Sequence, residues 1–456
     1  MATRTNEQFQ LVRKVELSHR TSFPRIVSLL DDATTPTCLL ELSLDNVYIS
    51  SVLATKIEEC LSQRYERGLS CSTLRLSKCS NRVDLVVLAA AKYSERLIMD
   101  RTGLNRGLQE PIPSFIQSFS YRGCQLTSLS IFEHSFTSLD DAHALGNMLS
   151  ANQSLTHLDL AGSNFDSSVF EVLIQGFYES TRLKSLNLSQ CGLSDDQVAH
   201  LVEHLGQGSP LLRQLNLSNN FVEERASIAL AALVLQKSKT NKCLEYLDLN
   251  QCQGLNVQVL VEALKESRSL KHLGVAGNPF NFQQLGALAE LLIFPTLPLR
   301  SLRMNQVFPK ALSEQREDII SLLSQIADAV RYNATIQVLE VVRIISDNSK
   351  KNVNDVILFS DPGIIQPLRE ILMYTTLNKS GIRRLLSVGV SPLALWPHLL
   401  AKLEDRVRAT IMNDPYSSRV AGLLSGSGGI DTSALFHAFR AVGPALLLLE
   451  RSRVKL

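Results

Sequence analysis

Between residues 38 and 345, apolar positions return in one phrase, Leu-x-x-Leu-x-Leu or a close apolar variant. Its first position falls at Leu126, Leu155, Leu183, Leu212, Leu244, Leu270 and Leu299, with spacings of 29, 28, 29, 32, 26 and 29 residues. Looser copies start at Leu39, Cys71 and Ile336, and the gap between Cys71 and Leu126 has room for a degenerate copy around Leu97 and Met99. Within the phrase, as in Leu158-Asp159-Leu160, apolar and polar residues alternate, which is the period of a strand with one buried face. Behind the strands the period lengthens. Val198, Leu201, Val202 and Leu205 recur at helical spacing after a capping box, Ser194-Asp195-Asp196-Gln197, and Val257, Leu260, Val261 and Leu264 repeat the theme. One strand-plus-helix unit cannot bury its own apolar face. About ten or eleven units are therefore expected to stack, strand beside strand and helix beside helix, into an α/β horseshoe.

The phrases LTHLDLAGSN, LKSLNLSQC, LRQLNLSNN, LEYLDLNQC and LKHLGVAGN carry a family resemblance. In them the chain is similar to leucine-rich repeat proteins of the ribonuclease-inhibitor-like subfamily, whose two repeat types resemble the alternation Cys191, Asn220, Cys252, Asn278. The resemblance implies a solenoid with parallel strands inside and helices outside. At the turn, Asn is expected to point inward and bond orphaned backbone groups, and Cys to pack. The organisation read from the sequence is an N-terminal cap (1–37), a repeat domain (38–345), a polar linker (346–360) and a small helical C-terminal domain (361–456).

Composition narrows the function classes. Of 456 residues, 45% are hydrophobic and 20% charged, a globular mixture, and 46 Lys+Arg against 44 Asp+Glu leave a formal charge of only +2. That balance argues against a nucleic-acid partner bound by bulk charge. Neither a secretory signal nor an apolar span of bilayer length is evident, so no membrane partner is expected. Eight cysteines without CxxC spacing read as buried free thiols in a reducing compartment, cytoplasmic or nuclear.

Catalytic and cofactor motifs are sparse. His200-Leu201-Val202-Glu203-His204 matches HxxEH, a zinc-peptidase pattern, but its leucines already place it on an outer repeat helix, with no third ligand identifiable. GxxxxGK[ST] and GxSxG do not occur. No cofactor, metal or catalytic residue is assigned, and the chain reads as a non-enzyme. Binding is the remaining reading. Strand positions that alternate with the leucines face the concave side, making His157, Asp159, Asn187, Gln214, Asn216, Tyr246, Asp248, His272 and Arg303 candidates for gripping a protein partner of unknown identity, with Tyr246 and Arg303 as anchors. The alternative lies near the C-terminus. Thr376 to Leu385 is similar to the helix by which suppressor-of-cytokine-signalling boxes dock elongins. That similarity implies a cullin-type ubiquitin-ligase receptor with Leu377, Gly381 and Leu385 toward the adaptor. The same helix is also expected to pack on the last repeat.

Overall fold

In a computed structural model of the chain, the described residues are 12–33, 39–69, 71–100, 119, 124–239, 244–294, 297–306, 316–342 and 362–379. They belong to two compact units, Met1–Leu247 and Asp248–Leu456.

In the first unit, strand and helix alternate along the chain. The strands Val12–Ser18, Leu39–Asp45, Cys71–Ser77, Ser94–Asp100, Ser128–Phe132, His157–Asp159, Ser185–Asn187 and Gln214–Asn216 lie side by side in sequence order, every pair parallel. The register aligns the repeats phrase on phrase: Leu129 opposite Leu158, Leu158 opposite Leu186, Leu186 opposite Leu215. All four are buried, so the leucines of adjacent strands stack into a continuous apolar layer. The degenerate copy is present as Ser94–Asp100, with Leu97 and Met99 buried. An earlier copy escaped the leucine pattern. Val12–Ser18 pairs along its whole length with Leu39–Asp45, burying Val15 and Leu17, and the helix Phe23–Ala33 follows it, so the chain before residue 38 already contains a strand-and-helix unit. Its phrase opens with valines, and β-branched residues serve a strand as well as leucine does.

The helices form a second layer. Ser194 and Gln197 make the expected reciprocal cap on Asp195–Gln207, and a second box, Asn281 with Gln284, starts Phe282–Leu291. Val198, Leu201, Val202 and Leu205 are buried, as the spacing requires. The second unit follows the same plan, with parallel strands His272–Gly274, Ser301–Gln306 and Val338–Val342 and helices Val257–Glu266, Phe282–Leu291 and Arg316–Tyr332. Of the region read as a C-terminal domain, the helix Pro362–Lys379 is described. It packs against Arg316–Tyr332 and Val338–Val342, held by Arg331 on Glu370 at 2.8 Å and by the Asn378 amide donating to the carbonyls of Asn333 and Ile336.

Two ladders of inward polar groups join neighbouring repeats. The first sits three residues past the second strand leucine. There Asn220 donates to the carbonyls of Leu188 and Leu217 and accepts from the N–H groups of Cys191 and Leu193. Asn278 donates to Leu249 and Val275, while Cys79 and Cys191 each donate a thiol to the preceding repeat, at Leu44 and Leu160. This is the alternation expected from the sequence, and Ser163 and His134 fill the same position two and three repeats before Asn220, both buried. The residue before it takes a left-handed conformation in repeat after repeat: Asn46, Lys78, Glu133, Gly162, Gln190, Asn219, Gln251 and Gly277 all have φ between 52° and 72°. The second ladder lies at helix C-termini. Asn152 donates to Phe119 O at 2.6 Å and accepts from Ser154 and Leu155, and Asn333 does the same toward Leu292, Thr335 and Ile336.

Candidate functional site

A parallel strand points alternate residues to opposite faces, so each leucine driven into the core fixes a neighbour on the open face. In the first unit the register sets two rows. One runs Arg96, Ser128, His157, Ser185, Gln214, and the other Ile98, Ser130, Asp159, Asn187, Asn216. In the second unit His272, Ser301 and Val338 form one row and Gly274, Arg303 and Glu340 the other. The candidates His157, Asp159, Asn187, Gln214 and Asn216 thus come together on one face. Tyr246 adjoins them, its N–H donating to Arg213 O at 3.0 Å. Asp248, His272 and Arg303 belong to the second unit.

The two rows differ in what their side chains have left to offer. Asp159, Asn187, Asn216 and Asp248 each accept, through Oδ1, the N–H two residues on: Ala161, Ser189, Ser218 and Asn250, at 3.0 or 3.1 Å. Each closes an Asx turn that bends the chain out of its strand. That role was readable in the sequence, since Asp or Asn recurs at one place just before a turn, yet the alternation alone suggested only a surface column. Burial raises the Asp159 carboxyl, opposed by its hydrogen bonds from Ala161 and Asn187. Asp248 is buried, and the position of a Cβ on Gly274 would lie 2.8 Å from its Oδ1, so glycine there leaves room for the carboxylate. Arg303 is paired, Nε to Glu340 Oε1 at 3.3 Å.

The other row keeps its polar groups available. His157 and Gln214 are exposed. Thr156 Oγ1 lies 2.7 Å from His157 Nδ1 and donates its own proton to Thr127 O. Partial burial holds the His157 imidazole below its ordinary value, with Arg96 and Lys184 adding to the effect.

On the outer helices His200 Nδ1 meets Glu171 Oε2 at 2.8 Å, and His204 Nδ1 bonds His200 O at 2.9 Å. Among the described residues no three His, Cys, Asp or Glu side chains gather as a metal site. Of the adaptor candidates, Leu377 lies in the last turn of Pro362–Lys379, between buried Thr375 and Asn378, while Gly381 and Leu385 lie outside the described residues.

No protein-family model matches the chain. It is 24% identical over 279 residues to NACHT, LRR and PYD domains-containing protein 4C of Mus musculus, covering 59% of this chain and 28% of that protein. It is 28% identical over 165 residues to the ribonuclease inhibitor of Sus scrofa, covering 35% of each. An internalin structure from Listeria monocytogenes aligns with 74% of the chain at a TM-score of 0.38 and 17% identity. The chain thus spans about a third or less of the length of these two curated relatives. The repeated phrase, its buried register and the Asn and Cys ladder make the chain a leucine-rich repeat protein, similar in sequence to the ribonuclease inhibitor.

Proposed function

We propose that the chain is a non-enzymatic scaffold that recognises a partner protein through the open face of its strands. The observation that carries this reading is the division of labour between the two rows. The Asx row is committed to turns, whereas the row of His157, Ser185 and Gln214 stands in register on the open face, followed by Tyr246 on the next strand. A surface of this kind binds by shape and dispersed polar contacts, with an aromatic residue as the natural anchor. One relative is by name an inhibitor of ribonuclease, which acts on another protein.

Affinity capture from cell extract with quantitative mass spectrometry tests the reading. Gln214→Lys and Tyr246→Ala should each deplete the same specific proteins about tenfold or more, the loss of one hot-spot contact. Arg225→Ala on the outer helix Glu224–Lys239 should leave them unchanged. Capture that survives both face variants overturns the proposal. The adaptor reading around Leu377 gains no support from the fold, because the helix that carries it is held to the chain's own last repeat through Glu370 and Asn378.

A further inference from the structure

The residues just before the strands form a ladder of their own in the first unit. The backbone N–H of Thr127 donates to Glu95, Thr156 to Thr127, Lys184 to Thr156, Arg213 to Lys184 and Glu245 to Arg213, all between 2.7 and 2.9 Å. Lys184 and Arg213 therefore occupy adjacent rungs, about 4.8 Å apart. Both are exposed, and exposed Arg96 and His157 lie on the neighbouring strand positions. Like charges on adjacent strands destabilise a sheet. Here the relief is slight. Arg213 reaches Glu245 only at 3.7 Å and is 58% exposed, and Lys184 makes no ion pair or side-chain hydrogen bond among the described residues. The Asx row beyond them spends its Oδ1 atoms on turns. Glu95 and Glu245 stand on the same rungs in the first unit, and the second unit repeats the pairing of cations, the Arg300 N–H donating to Lys271 O at 2.7 Å.

We propose that this rim docks an acidic, extended peptide segment of the partner, with its carboxylates on Lys184 and Arg213 and its backbone polar groups against His157 and Gln214. The proposal rests on the open strand face being the recognition surface and names the chemistry that surface selects. A chain of 456 residues with a formal charge of only +2 offers no bulk charge to neutralise a nucleic-acid backbone.

The test uses the full chain and four fluorescein-labelled probes: a nine-residue Glu/Asp peptide, a Gln/Ser peptide and a Lys peptide of equal length, and a nine-nucleotide oligothymidylate. Anisotropy titrations at low and moderate salt should show the acidic peptide binding about tenfold or more tighter than the neutral one, and losing affinity with salt. Lys184→Glu and Arg213→Glu should each weaken the acidic peptide about fivefold or more. Lys56→Glu, the same charge change on the outer helix Ser51–Glu66, should leave it within about twofold. Equal affinity for acidic and neutral peptides, indifference to both reversals, or tighter binding of the oligonucleotide than of the acidic peptide each overturns the assignment. The capture experiment above reads Gln214 and Tyr246 separately. Failure of the acidic probe with capture still lost in those variants therefore rejects the charge class alone, not the face.

Discussion

His134 fills an inward position that takes Cys or Asn in neighbouring repeats, and it shows what such a place demands. Its ring packs edge-on to Phe136 at 4.6 Å between centroids, and its buried Nε2 has no hydrogen-bond partner among the described residues. Burial pushes its pKa down to about 4 from an ordinary 6.5. The unfolded chain therefore takes up the proton first as pH falls. The stability owed to the neutral ring is complete above about pH 6.5 and is lost on going down toward pH 4, a change of about 3 kcal/mol at most. His134→Cys, the residue used at Cys79 and Cys191, should flatten that part of the dependence, so wild type and variant should diverge in urea midpoint between pH 7 and pH 4.5. The thiols make a related prediction. Burial raises Cys79 and Cys124, and takes Cys71 to about 11 and Cys191 to about 12. A thiol-reactive dye at pH 8 should leave these four unmodified until denaturant is added, because thiolate and access are both wanting. The buried Cys and Asn pivots were legible in the sequence because they recur behind a leucine phrase. His134 was not, since one histidine in a strand-turn context carries no signal of direction.

At the scale of elements, two glycines set how closely neighbouring helices lie. On Leu139–Ala151 and Ser167–Glu179, Gly146 faces Gly176, and a Cβ on Gly176 would sit 2.5 Å from Gly146 Cα. The reverse substitution is different: a Cβ on Gly146 would meet Gly176 Cα at 3.7 Å, ordinary contact. Gly176→Ala should therefore lower stability by about 1–3 kcal/mol through forced separation of the helices. Gly146→Ala should be neutral or raise it by up to about 1 kcal/mol from helix propensity. Paired urea melts followed by circular dichroism read both signs. This close approach was hidden in the sequence, because the spacing of apolar residues does not record which helical glycine meets which neighbour. The strands were the opposite case. Their alternation placed Leu158, Leu186 and Leu215 inward and His157, Asn187 and Gln214 outward, because a strand leaves a side chain no third direction. What alternation could not separate was a side chain facing a partner from one closing a turn, and four of the candidates, Asp159, Asn187, Asn216 and Asp248, close turns.

At the scale of the whole molecule, repetition carries the architecture. Each unit adds strand to strand in parallel register and covers one side with helices, the means by which short repeats obtain a shared core that none has alone. Periodicity announced that plan well, failing at the start, where valines replace the leucine phrase. No helix among the described residues is long and apolar enough to cross a membrane. On the proposed function, the open strand face, not the helical side, meets the partner. Site-specific photo-crosslinking tests it most directly, with a benzophenone residue placed at Gln214 in one protein and at exposed Gln175 on the helix Ser167–Glu179 in another. Adducts with the captured proteins from position 214 and none from position 175 are the predicted result. Adducts from position 175 alone would contradict it.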